Sequence, residues 1–215
     1  MMKHFGHVVF FASLAALAPA ALAQSWEVGF AGGGSFHTSE SVQNPAGNGS
    51  AGLAPGIAVS AWLGNNSAGT IGGELRYDYE RSDLRLSSGG TTVNFGGQSN
   101  AVHYDVVLNM ASSESHVRPF IAAGAGVKLF SGTGTEQAFQ PLSNLALLTK
   151  TNQIEPVISV GGGVKFNVSK SVLMRLEVHD YLSPFPTNII APAANSKIGG
   201  WISDIVVSAG LSFGL

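Results

Sequence analysis

From Ser25 onward, apolar side chains recur at every second position through about eight stretches, separated by polar, glycine-rich segments. A period of two is the signature of an extended strand, because successive side chains point to opposite faces of a sheet. The stretches run near Ser25–Phe36, Leu53–Gly64, Ala68–Glu80, Ser99–Met110, Val117–Phe130, Val157–Val168, Val172–Leu182 and Ile202–Phe213. Each is close to or longer than the ~9–11 residues that a tilted strand needs to cross a bilayer.

The third stretch shows the division of faces. Ile71, Gly73, Leu75, Tyr77 and Tyr79 share one face, and Glu74, Arg76, Asp78 and Glu80 the other. The fourth sets Val102, Tyr104, Val106, Leu108 and Met110 against His103, Asp105 and Asn109. The seventh sets Met174, Leu176 and Val178 against Arg175, Glu177 and His179. In the last, Ile205, Val207, Ala209, Leu211 and Phe213 oppose Asp204, Ser208, Gly210 and Ser212.

The connections alternate in length. Short turns fall at Asn65–Ser67, Ala111–His116 and Ser169–Ser171, and long segments at His37–Gly52, Arg81–Gln98, Ser131–Pro156 and Ser183–Trp201. Short turns at one end and long loops at the other are the wiring of bacterial outer-membrane barrels. In hydrocarbon every backbone N–H and C=O must be paired within the protein, so a spanning sheet has to close on itself. The expected fold is therefore all-β: an up-and-down, antiparallel transmembrane barrel of about eight strands. An even count leaves both ends of the barrel on the periplasmic side.

Composition sharpens this picture. Charged residues make up 11% of the 215-residue chain, against roughly a quarter in an ordinary soluble protein. Yet no segment after residue 23 holds the roughly 18 consecutive apolar residues of a spanning helix. Cysteine is absent, which excludes disulfides and thiolate metal sites. A net charge of −2 and a pI near 6.3 give no basic footprint for nucleic acid. Residues 1–23 have the layout of a signal peptide: Lys3, the apolar stretch Val8–Leu17, and Ala21-Leu22-Ala23 before Gln24. The barrel domain is expected over 24–215.

About half of the chain's charges fall on the face predicted to point inward: Glu27, Glu74, Asp78, Glu80, Asp105, Glu177 and Asp204, with Arg76, Arg118, Lys128, Lys165 and Arg175. Charge in a narrow bore is costly unless paired. Seven acids and five bases, with His103 and His179 beside them, are expected to interlock as a network that plugs and stiffens the bore; an ion or solute gate is the alternative, and a protonatable catalytic centre the third. Gly124, Gly126, Gly161 and Gly163 make room for large neighbours there. Trp26, Trp62, Tyr77, Tyr79, Tyr181 and Trp201 lie near strand ends, as interfacial girdles do, although parity turns Trp62 inward.

Several segments are similar to small OmpA-like outer-membrane barrels. Val117-Arg-Pro-Phe-Ile-Ala-Ala-Gly-Ala-Gly-Val127 resembles their fifth strand, and Met174-Arg-Leu-Glu-Val-His-Asp-Tyr-Leu182 their penultimate one. Ser208-Ala-Gly-Leu-Ser-Phe-Gly-Leu215 resembles the C-terminal assembly signal, with Ser208, Gly210, Phe213 and Leu215 in its key places. The resemblance implies recognition of the last strand by the barrel-assembly machinery. It also implies a monomer in outer-membrane lipid and lipopolysaccharide, with a structural envelope role and surface loops free to bind. Leu215 stands where many relatives end in phenylalanine, so that recognition is expected to be weaker or tuned differently. The chain ends at the barrel, so no cell-wall tether is expected.

Catalysis needs a nucleophile and a base together. His37-Thr38-Ser39, with Glu40, and His179-Asp180 are the faint candidates, and neither reproduces the motif of the barrel enzymes that modify lipid A. Gly32–Gly34 and Gly161–Gly163 are not followed by helices, as a phosphate loop would be. No enzyme activity, cofactor or metal is expected. The apolar run Leu142–Leu148 is out of keeping with an exposed loop; a strand extension, a short helix over the mouth and a partner surface all suit it.

Overall fold

The computed structural model describes residues 26–45, 47–65, 70–169 and 171–215. The signal peptide expected over 1–23 lies outside them, as does part of the turn at 65–67. The described residues hold fourteen β-strands and no helix. Eight close an antiparallel barrel: β1 (Glu27–His37), β4 (Gly56–Asn65), β5 (Ile71–Arg81), β8 (Gly97–Asn109), β9 (Val117–Gly132), β11 (Asn152–Asn167), β12 (Val172–Pro184) and β14 (Trp201–Gly214). Each coincides with one of the alternating stretches, displaced by a few residues at its ends. Around the ring the order is β1-β14-β12-β11-β9-β8-β5-β4, so the first strand pairs with the last, Glu27 opposite Gly214 and His37 opposite Asp204.

Alternation dictates what each face carries. Phe30, Val59, Leu75, Val106, Ile121, Val160, Leu176, Val207 and Leu211 point outward and are exposed. Their counterparts one residue away are buried in the bore. An outer surface this apolar, on a sheet with no open edge, suits hydrocarbon and not water. On that surface Gly73 leaves room for the Tyr104 side chain from β8: a Cβ at Gly73 would stand 1.8 Å from the phenol oxygen.

The long connections are not polar loops. They carry β2 (Ser39–Asn44), β3 (Gly47–Leu53), β6 (Leu84–Ser88), β7 (Thr91–Phe95), β10 (Ala146–Leu148) and β13 (Ile190–Pro192). The first four form a sheet ordered β2-β3-β6-β7, and β10 pairs with β13. A bridge between Gln43 of β2 and Lys197, which follows β13, ties the first long connection to the fourth. Beneath them lies an apolar core of Val42, Leu53, Leu84, Leu86, Leu145, Leu148, Phe185, Ile189 and Ile190, joined from the barrel strands by Phe130 and Ile202. The Asn44 amide fastens the periphery, donating to Asn144 O at 3.1 Å and to Ser196 Oγ at 2.8 Å. Together these elements make a cap continuous with the barrel wall.

This settles the Leu142–Leu148 run. Leu142 takes a left-handed conformation (φ 63°), the chain turns, and Leu145, Ala146 and Leu148 enter the cap core while Leu147 faces out. The Gln140 side chain holds the strand that follows the turn, donating to Leu148 O at 2.9 Å and accepting from Leu148 N at 3.0 Å. The run is the keystone of the cap; no helix forms.

Candidate functional site: the interior of the barrel

The bore is filled by side chains in layers. Nearest the cap stand His37, Glu80, Lys128 and Asp204. Lys128 Nζ donates to Glu80 Oε1 at 2.8 Å and to Asp204 Oδ2, and His37 Nε2 lies 3.3 Å from Glu80 Oε2 and 3.2 Å from Asp204 Oδ1. His37 had been expected in a loop beside Ser39. It is instead the last residue of β1, one alternation beyond Ser35, so its side chain is carried inward.

The next layer runs from Ser60, which donates to Asp78 Oδ1 at 2.5 Å, through the His103 ring. That ring bridges Asp78 Oδ2 at 2.7 Å and Asp105 Oδ1 at 2.8 Å. Ser159 Oγ continues the chain, 3.3 Å from both Asp105 Oδ2 and His179 Nδ1. Tyr181 lies against this layer, its ring 5.2 Å from His103 and 5.8 Å from His179.

Toward the short-turn end the pairs cross the bore. Arg76 Nη2 donates to Glu177 Oε1 at 2.6 Å, and Arg175 Nη1 donates to Glu74 Oε1 at 2.6 Å. Arg76 and Glu74 belong to β5, Glu177 and Arg175 to β12, and these strands stand four places apart in a ring of eight. The two ion pairs therefore lie across the full diameter. Trp62 supports the guanidinium groups, its ring 4.4 Å from Arg175 and 5.0 Å from Arg76, and Phe120 faces Arg175 at 4.6 Å. Lys165 Nζ donates to Glu27 Oε2 at 3.4 Å, completing the lower layer. A buried charge of one sign beside another costs several kcal/mol unless its partners are in place, and here nearly every one has two.

Arg118 is the exception. It is buried at the short-turn end, yet its Nε and Nη2 have no hydrogen-bond partner. Its β11 neighbour is Lys165, a second cation. Glu27 supplies its attracting charge, so Arg118 joins the inner set through that charge and not through a hydrogen bond of Nε or Nη2.

Sequence reasoning missed Phe120 and the inward direction of His37 and Tyr181. Phe120 and Tyr181 share parity with Arg118 and His179, so strict counting along each strand would have found them. Of the expected aromatic girdle, Trp62 and Tyr181 are interior, both nearly inaccessible, while Tyr77 and Trp201 remain on the outer face. The faint catalytic pairs come apart. His37 is in the bore and Ser39 on an exposed cap strand; His179 points in, while Asp180 accepts a hydrogen bond from Ser203 Oγ at 2.7 Å on the other face. Ser159, His179 and Asp105 do meet, but all three are buried.

No protein-family model matches the sequence, and no curated protein does. Solved structures do. The neisserial surface protein A aligns with a TM-score of 0.53 and 11% identity, over 88% of this chain and 96% of that one. The outer membrane protein OprG from Pseudomonas aeruginosa aligns with a TM-score of 0.55 and 11% identity, over 89% and 97%. The shared property is the architecture described above: the chain has the fold of the small eight-stranded barrels of outer membranes.

Proposed function

We propose that this chain is an integral outer-membrane protein in which a sealed barrel anchors a folded cap at the cell surface, serving the structure of the envelope. The observation that carries this reading is the pair of ion bridges across the bore diameter, Arg76–Glu177 and Arg175–Glu74. A lumen crossed twice by buried charge pairs, under an apolar cap core, has a plug and not a path. The cap then faces outward, the short turns face the periplasm, and the apolar belt meets lipid and lipopolysaccharide. Residues Ser208–Leu215 offer the assembly machinery its signal, and the barrel acts as a monomer. Fractionation of cells expressing the chain should recover it in the outer membrane, with heat-modifiable migration on a gel; recovery as a soluble periplasmic protein removes the reading.

The test of the plug is electrical. Purified protein in planar bilayers is expected to give no discrete conductance steps. A narrow solute channel is the second reading, favoured by the choice of partners around Arg175, which has Glu27 at 3.6 Å and Glu177 at 2.9 Å besides Glu74. Pairs with alternatives can exchange. Steps in the wild type that change on Glu74→Gln decide for the channel. An enzymatic role is set aside because the candidate pairs come apart and the one group that meets, Ser159, His179 and Asp105, is buried; a mass spectrum of lipid A unchanged by expression is the expected result.

A further inference from the structure

We propose that His37, Glu80 and Asp204 form a binding site for one divalent transition-metal cation of the zinc type, where the bore meets the cap.

The three side chains come from β1, β5 and β14 and place one donor atom each within 4.8 Å of the others. Their facing atoms are His37 Nε2, Glu80 Oε2 and Asp204 Oδ1. All are buried, and the imidazole nitrogen stands at ion-pair distance from both oxygens, yet none makes a well-aligned hydrogen bond, nor does His37 Nδ1. Three buried polar atoms that converge on one point without a well-aligned hydrogen bond between them can be satisfied together by one shared occupant, because a buried polar group left poorly matched costs free energy. The spacing says which. Tetrahedral zinc with bonds of ~2.0 Å to nitrogen and oxygen separates its ligand atoms by about 3.3 Å. His37 Nε2 lies 3.3 Å from Glu80 Oε2 and 3.2 Å from Asp204 Oδ1. One imidazole and two carboxylates form a donor set for borderline divalent cations, with a fourth position for water.

Lys128 supports the arrangement and does not compete for it. Its ammonium takes Glu80 Oε1 and Asp204 Oδ2, the oxygens away from the imidazole, and so turns the other oxygen of each carboxylate toward His37. Outer partners that fix ligand orientation in this way are a regular part of metal centres. Position adds a reason for the site to exist. His37 and Asp204 are register partners across the β1–β14 seam that closes the barrel, and Glu80 reaches them from β5. A bound cation would staple that seam.

The experiment uses the full chain, refolded in detergent and stripped with a chelator, then titrated with cobalt(II). Uptake of one equivalent is expected, with the visible absorption of a tetrahedral site and displacement by zinc(II). His116→Gln, altering an exposed histidine of a distant turn, should leave uptake unchanged. His37→Gln and Glu80→Gln should each weaken it by at least about tenfold, with folding of each verified by heat-modifiable migration. Zinc should raise the unfolding temperature of the wild type and leave that of Glu80→Gln where it was. Folded wild type that takes up no stoichiometric metal, or uptake that survives both substitutions, overturns the proposal.

Discussion

At the scale of the residue, the interior is ordered by which charges can find two partners. Glu74 is met by Arg175 and Arg76, with Lys165 at 3.8 Å. Removing its charge leaves buried cations facing one another. Glu74→Gln is expected to destabilise the barrel by about 3 kcal/mol, read from urea-induced unfolding in micelles. Steric limits are as firm. A Cβ at Gly29 would stand 2.3 Å from the Trp62 ring, which is itself pressed against Arg175. Gly29→Ala should cost about 1–3 kcal/mol by overpacking, measured the same way. Parity along the chain made most of this interior legible, from Glu74 to Asp204. It failed where a strand ran one residue longer than its hydrophobic pattern, as at His37, and where residue type outweighed position, as for Tyr181. A buried tyrosine and an interfacial one differ only in which face they occupy.

At the scale of the element, barrel and cap were unequally readable. The spanning strands carry long, strict alternation because one face meets an apolar medium and the other a polar bore. The cap strands are three to seven residues long, rich in serine, glycine and asparagine, and their core is gathered from all four long connections. No single segment holds enough of the pattern to announce itself; only the Leu142–Leu148 run showed that something apolar lay there. Because the cap core includes Leu145 at 1% exposure, Leu145→Asp would bury an unpaired charge among aliphatic side chains. Limited proteolysis should then cut within residues 133–151, which the wild type protects, while the barrel keeps its heat-modifiable migration. Loss of that migration would mean that cap and barrel fold as one unit.

At the scale of the whole molecule, the outer belt and the inner network must be satisfied together. Val207 lies in the middle of β14, facing out and exposed, between β1 and β12. Val207→Arg puts a charge near the centre of the apolar belt. A cost of about 2–4 kcal/mol is expected for such a placement, seen as a loss of folded species when the variant is refolded into lipid vesicles, with a smaller loss for Val117→Arg at a strand end.

The crossing pairs have one more consequence. Inward-facing acids are concentrated before residue 110: Glu27, Glu74, Asp78, Glu80 and Asp105 against the single base Arg76. After it the bases dominate, with Arg118, Lys128, Lys165 and Arg175 against Glu177 and Asp204. Each half of the polypeptide is thus a four-stranded ribbon with an excess of one sign, and neither can enter lipid comfortably without the other. Two fragments divided in the turn at residues 111–116 should accordingly remain apart from vesicles when offered singly and assemble into a heat-modifiable heterodimer when mixed, since each is the other's counter-ion.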